Sequence, residues 1–552
     1  MRRPLLAATV ATATVVALSV SPITAATAAP SAPGDYTVVS ADGVPAADAV
    51  AAITAAGGTI VSRNDAVGVF RVSSTDAGFR TAVAGSSKLI GASERKAFGY
   101  APKDLTVEAP ATGANAPAAA AAPALRTDPL DEKLWGQRMI RADMAHKIQK
   151  GNRGVTVGVL DTGLDASNPD LAKRFSPVLS RNFAPDIPAV DGPCEVASCL
   201  DPVGTDDGGH GTHVAGIIGA SLDGSGLSGV APGVTLVELK GGQDFGLFFL
   251  DPVVNALTYA GDAGIDVVNM SFYVDPWLYN CKANPADSPE AQAEQRAIIA
   301  GMRRALNYAH RKGVTLVAAL GNNHEDLGKP RIDSSSPDYG GTPYDRPIDN
   351  RTCWDLPAEG PHVIGVSSVG PSKMKSDFSN YGVEQTSVAA PGGWARDGFG
   401  TPTYLSPGNQ ILSTYPLKIL QAAGRVDADG NITPAGAPNT FKACNAAGEC
   451  GYYGYLQGTS MAAPHAAGVA ALIVSQYGRP DQRNGGLTLN PDVVERRLLR
   501  SAAETPCPTP RLRSYVQEGR DVEFDAFCEG GTKFNGFYGH GIVDAYAAVG
   551  GQ

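Results

Sequence analysis

Three separate segments of the chain each place a polar side chain where an apolar run breaks. Asp161-Thr-Gly follows the run Val155 to Leu160; Gly208-Gly-His210-Gly-Thr-His213-Val-Ala-Gly carries two histidines; Gly458-Thr-Ser460-Met-Ala-Ala-Pro464 opens a stretch of small residues. A serine hydroxyl is a poor nucleophile until a base takes its proton, and an imidazole serves best when a carboxylate orients it. Aspartate, histidine and serine are therefore the set that acyl transfer through a serine requires. Each also has a plainer reading. Asp161 beside a glycine is a turn residue, and Ser460 at a helix start is a cap, with Pro464 tolerated in the first turn. His210 and His213 could pair on a metal, but no glutamate stands between them as in H-E-x-x-H. One reactive imidazole and one packed, hydrogen-bonded imidazole is the better reading.

Taken in order, Asp-Thr-Gly, His-Gly-Thr-His-Val-Ala-Gly and Gly-Thr-Ser-Met-Ala-Ala-Pro resemble the three signature blocks of the subtilisin-like serine peptidases. The similarity runs from about Leu134-Trp-Gly to Tyr538-Gly-His-Gly. It implies that Asp161 orients the imidazole, that His210 is general base and then acid, and that Ser460 attacks a peptide carbonyl. Ala318-Ala-Leu-Gly321-Asn322 resembles the oxyanion block, so Asn322 is the implied side-chain donor with the Ser460 N–H beside it. That assignment depends on the Gly-Asn register, because Asn323 is adjacent. Asn269-Met-Ser271-Phe272-Tyr273 resembles the substrate-binding strand, implying Ser271, Phe272 and Gly321 as substrate contacts. Here an aromatic pair replaces the usual glycines, and Leu320 stands where a small residue is common; both would reshape a pocket wall without removing the chemistry. Asp170 and Asp223 fall where subtilisins place ligands of a structural calcium, against a plain reading as two solvated turn aspartates. No cofactor is implied for the reaction. A lipase or esterase of the α/β-hydrolase type is excluded, since Ser460 lies in Thr-Ser-Met rather than G-x-S-x-G and the order of the three residues differs. An inactive relative kept as a binding protein is the alternative from another class.

The elements that position these residues read as strands alternating with helices. Val155 to Leu160, Leu236 to Leu239, Val267 to Met270 and Val314 to Leu320 are short apolar runs of the kind buried on both faces. Tyr259 to Gly264, Ala297 to Gly313 and Met461 to Tyr477 have helical composition. The pattern predicts an α/β fold, a mostly parallel twisted sheet with helices on both faces, over residues 128–552. Insertions around 183–208, 275–292, 324–358 and 392–450 are long for structureless loops and are expected to carry structure of their own. Residues 34–102 predict a smaller α+β unit: strands at 36–40, 57–62 and 67–72, and helices at 46–56 and 75–84. By layout this segment resembles the inhibitory propeptides of the same family. The Ala/Pro-rich stretch within 103–127 reads as an exposed linker.

Met1-Arg2-Arg3, the apolar stretch from Leu5 to about Val20 and the Ala26-Thr-Ala-Ala site mark residues 1–28 as a secretory signal, too short to span a bilayer. A secreted, extracellular protein is expected, with no membrane anchor. Eight cysteines agree with an oxidising compartment. Cys194 with Cys199, Cys444 with Cys450, and Cys507 with Cys528 are local neighbours, leaving Cys281 and Cys353; this is the simplest of ~105 pairings and spacing alone does not select it. A net charge of -10 gives no reason to expect nucleic acid as a partner. The expected partners are protein or peptide substrates and the chain's own propeptide, and nothing in the sequence calls for an oligomer.

Overall fold

The computed structural model describes residues 33–95, 128–338 and 341–552. The expected signal peptide, the linker and the last residues of the 34–102 segment lie outside the described residues.

The small N-terminal unit is a four-stranded antiparallel sheet backed by two helices. Its elements are β1 (Gly34–Ser40), α1 (Ala46–Ala55), β2 (Thr59–Asn64), β3 (Val69–Ser74), α2 (Phe79–Ala84) and β4 (Leu89–Glu94), with strand order β2-β3-β1-β4. Val38, Phe70 and Val72 bury against Ile53 and Phe79, so the helices cover one face. Two expectations change. The second helix starts at Phe79 rather than Thr75, because Asp76 Oδ1 accepts the Gly78 N–H and Ser74 Oγ the Asp76 N–H in a turn. Strand β4 was not anticipated; its register against β1 is a long-range pairing that local pattern does not encode.

The main unit is built on seven parallel strands. They are β5 (Thr156–Asp161), β6 (Arg181–Asn182), β7 (Thr235–Lys240), β8 (Val267–Met270), β9 (Thr315–Ala319), β10 (Val363–Val369) and β11 (Val388–Pro391), in the order β11-β10-β9-β8-β5-β7-β6. Both faces are covered, which is why the strands read as unbroken apolar runs. Val157, Val159 and Val317 pack against helices α3 (His210–Gly219) and α6 (Thr459–Tyr477). Leu160, Val268 and Leu316 point the other way, onto α4 (Leu250–Ala263) and α5 (Pro289–Arg311). Strands β10 and β11 escaped the sequence reading: Gly365, Ser367 and Ser368 interrupt the first, and the second has four residues. Helix α4 begins nine residues before the expected Tyr259, its first turn holding Asp251 and Pro252, both compatible with a helix start.

The N-terminal sheet lies on α4 and α5. Thr37 Oγ1 donates to Asp251 (3.2 Å), Asn64 Nδ2 to Asn255 (2.9 Å) and Arg304 Nη2 to the Ser40 carbonyl (2.9 Å). Glu294 on α5 is 5% exposed and accepts from Ser93 Oγ (3.0 Å) and the Glu94 N–H (3.3 Å), which holds the end of β4.

The insertions carry structure, and cystines fasten it. Cys281–Cys353 joins two short paired strands, Cys444–Cys450 crosses a hairpin, and Cys194–Cys199 closes a loop before α3. Cys507–Cys528 completes the simplest pairing. Among the described residues no helix is long and apolar enough to cross a membrane.

Candidate active site

The carboxyl ends of parallel strands are where an open α/β sheet forms sites. Leu160 lies opposite Met270, and Met270 opposite Ala318, across three adjacent strands. The residues that follow, Asp161, Ser271 and the Leu320-Gly321-Asn322 turn, therefore emerge along one edge.

Asp161 is fully buried. Its Oδ1 accepts the Thr162 N–H (2.8 Å) and faces His210 Nδ1 at 2.7 Å. His210 opens α3 with its side chain 11% exposed. Burial disfavours its charged form, but the charge of Asp161, their hydrogen bond and the charge of Asp206 together hold the imidazole above its ordinary pKa. The backbone is drawn close to make this contact. A Cβ on Gly211 would meet the Gly163 carbonyl at 2.1 Å and Asp161 Cβ at 3.0 Å.

Asp206, which the sequence reading passed over, fixes the start of α3. Its Oδ1 accepts the N–H groups of Gly208 (3.1 Å) and Gly209 (2.8 Å), and its Oδ2 accepts the Thr212 N–H (2.9 Å) and hydroxyl (2.5 Å). It thus satisfies donors a helix start leaves unpaired, and Thr162 Oγ1 ties it back to β5 at 2.9 Å. The signal was an aspartate just ahead of a glycine pair and a helix. His213 is the packed imidazole: fully buried, with Nε2 3.1 Å from the carbonyls of Ile411 and Gly454, its pKa lowered to about 3 chiefly by burial.

A second group forms around Ser460, at the second position of α6 after Gly458. Its hydroxyl donates to the Ser271 carbonyl (3.3 Å), and the Ser271 hydroxyl donates back to the Ser460 carbonyl (3.1 Å). Pro464 explains the return bond. It sits in the second turn of α6, not the first as expected from sequence, four residues after Ser460 and without an N–H to give that carbonyl. Asn322 Oδ1 accepts the Thr459 N–H (2.8 Å) and hydroxyl (3.0 Å), and Thr459 Oγ1 accepts the Gly321 N–H (3.0 Å). The Asn322 amide nitrogen is thereby left facing away from Thr459. A Cβ on Gly458 would lie 3.5 Å from Asn322 Nδ2 and 3.6 Å from the Ser460 nitrogen, so the two donors flank one spot. Asn323 takes no part; its N–H donates to Asn380 (3.0 Å). Gly321 holds φ at 95°, and a Cβ there would meet Asn380 Nδ2 at 2.6 Å.

The aromatic pair and Leu320 behave differently from each other. Phe272 stacks on Phe248 with centroids 4.0 Å apart, and Tyr273 donates its hydroxyl to Asp338 on the 324–358 insertion. Leu320 is fully buried in the core beneath the sheet, opposite Gly365, so it shapes packing rather than a pocket wall.

Asp170 and Asp223, the expected calcium ligands, lie near one another with different partners. Asp223 is taken by Lys173 Nζ at 2.7 Å. Asp170 Oδ2 accepts the Leu227 N–H (3.0 Å) and the Tyr453 hydroxyl (2.8 Å). The carboxylates that bear on Asp170 are Asp128 and Asp223; Asp128 is 2% exposed, with a buried Oδ2 that has no partner. Burial first, then neighbouring acids, push both Asp128 and Asp170 up to about 7. Two buried oxygen donors short of positive charge suit a hard cation.

Residues 152–541 match the model of the subtilase family, Peptidase_S8. The chain is 30% identical over 357 residues to the major intracellular serine protease of Bacillus subtilis (strain 168), covering 64% of this chain and 79% of that protein. It is 28% identical over 345 residues to thermitase of Thermoactinomyces vulgaris, 62% and 83% of the two chains. Among solved structures it is similar to the epidermin leader peptide processing serine protease of Staphylococcus aureus, with a TM-score of 0.60, 19% identity and coverage of 94% and 98%. That likeness concerns the fold.

Proposed function

Since the chain belongs to the subtilase family of serine proteases, we propose that it is a secreted endopeptidase that cleaves proteins through Asp161, His210 and Ser460 by way of an acyl-enzyme. The observation that carries this reading is the 2.7 Å contact between buried Asp161 and His210, on the strand edge that also presents Ser460. His210 takes the Ser460 proton as the hydroxyl leaves the Ser271 carbonyl and attacks the substrate carbonyl. Asp161 stabilises the imidazolium that forms, and His210 returns the proton to the leaving amine. Asn322 Nδ2 and the Ser460 N–H receive the developing oxyanion between them. Ser271, Phe272 and Gly321 line the substrate's path.

Export rests on residues 1–28 and on four cystines, which persist in oxidising compartments. We read the N-terminal unit as a propeptide that assists folding and covers the cleft until the linker is cut; its hold on α4 and α5 supports this. A structural calcium ion would be held by Asp170 and Asp128 with Asp223 beside them, and would supply charge balance rather than a chemical step.

The test is expression of the precursor beside Ser460→Ala, following product size and casein hydrolysis. Wild type is expected to shorten and digest casein while the variant stays long and inert. A folded, processed wild type that cleaves nothing would favour a binding protein.

A further inference from the structure

A second cluster lies on the opposite edge of the sheet. His310 ends α5 just before β9, and His362 immediately precedes β10, so both stand at the amino ends of strands whose other ends face Gly321 and Asn322. Their imidazoles stack face to face, with centroids 3.8 Å apart and planes 7° from parallel. His310 Nε2 lies 2.9 Å from Oδ1 of Asp492, in the first turn of the helix α7 (Pro491–Ser501). His362 Nε2 faces Asn307 Oδ1 at 3.1 Å. Nitrogen atoms from both histidines and a carboxylate oxygen of Asp492 come within 4.8 Å of one another.

We propose that His310, His362 and Asp492 bind a borderline transition-metal ion, with Zn²⁺ as the representative case, that fastens the end of α5, the turn before β10 and the start of α7. Two imidazole nitrogens and one carboxylate suit Zn²⁺, Ni²⁺ or Cu²⁺, whereas Ca²⁺ and Mg²⁺ want oxygen alone. The 2.9 Å span between His310 and Asp492 is close to the roughly 3.3 Å separating two ligands of a tetrahedral zinc. The ion takes the place of the proton they share, and the imidazole of His310 keeps its remaining proton on Nδ1. Because an imidazole nitrogen binds in the plane of its ring, the parallel stack must open, His362 turning off His310 and leaving Asn307 to bring in the third ligand. His362 sits at φ 62°, a conformation costly for a residue with a side chain and one that such a ligand would repay. Glu495 and Arg311 are the other charged groups beside the cluster. The cluster is remote from the Ser460 site, and its occupancy is independent of the peptidase reading.

The test is titration of ZnCl₂ into the full chain carrying Ser460→Ala, made without a histidine tag, with thermal denaturation in parallel. One equivalent of Zn²⁺ is expected to bind and to raise the midpoint by a few degrees. His362→Ala and Asp492→Asn should each weaken that binding at least tenfold and abolish the rise, and CaCl₂ should not produce the same His362-dependent effect. If His362→Ala does not fold, His310→Gln takes its place. No binding to the parent, or binding that survives these substitutions, overturns the proposal.

Discussion

At Ser460 the arrangement separates two tasks that a single hydroxyl cannot perform alone. The Ser271–Ser460 exchange of hydrogen bonds holds the first turn of α6 in place, while in the proposed mechanism Asn322 and the Ser460 N–H keep their donors for charge that appears only during reaction. Asn322→Leu is accordingly expected to lower kcat by about 10²–10³, the range found for the equivalent kind of donor in subtilisin, with KM little changed; steady-state kinetics on a peptide substrate decide it. In the proposed mechanism His210 must be neutral to act as base, and Asp161 holds its pKa above the ordinary 6.5. Activity should therefore fall on the acid side as pH drops through a value above 6.5. In Asp161→Asn, where burial is no longer opposed by that charge, the residual activity, down about 10⁴, should show its acid limb below 6.5. The pH dependence of kcat/KM measures both. As candidates, these three residues and Asn322 could be picked out in the sequence because their neighbours form recognisable blocks. The Thr459 bonds that orient Asn322 were not, since they join positions 137 residues apart.

Elements matter here through how close their backbones come. Helix α3 presses against the end of β5 because Gly211 has no side chain. Gly211→Ala should push the helix away, break the 2.7 Å contact and cut kcat/KM by orders of magnitude while the chain still folds; activity alongside circular dichroism checks this. Retention of full activity would mean the contact tolerates a longer separation than the geometry allows. The central strands were readable because burial on both faces leaves an apolar run. Strand β10, with Gly365, Ser367 and Ser368, hides its polar groups in tertiary bonds: Ser367 Oγ to the Phe537 carbonyl (2.7 Å) and Ser368 Oγ with Ser376 (2.8 Å). Asp206 was hidden for a similar reason, its value lying in five donors gathered by the turn.

Across the whole molecule, a small sheet caps two helices of a larger α/β unit and cystines secure the insertions around it. The cross-links differ in what they constrain. Cys281–Cys353 closes a separation of 72 residues and Cys194–Cys199 one of 5. In the chain-entropy account the first contributes about 4 kcal/mol and the second about 2 kcal/mol. Replacing both Cys281 and Cys353 by serine should lower the thermal midpoint more than replacing Cys194 and Cys199; the reverse order would place the stabilising effect in the native state. The fold class and the parallel sheet could be inferred from strand–helix alternation, whereas the seating of the N-terminal unit on α4 and α5 depends on contacts such as Glu294 with Ser93 that no local pattern contains.

The most direct test of the peptidase reading is covalent labelling with a fluorophosphonate, a reagent that phosphonylates an activated serine, followed by peptide mass spectrometry on the mature protein. The expected result is one adduct per chain, on Ser460, formed fast in wild type and lost in His210→Ala, although that variant keeps the hydroxyl. A folded wild type that takes up no label, or that carries it on another serine, would contradict the account.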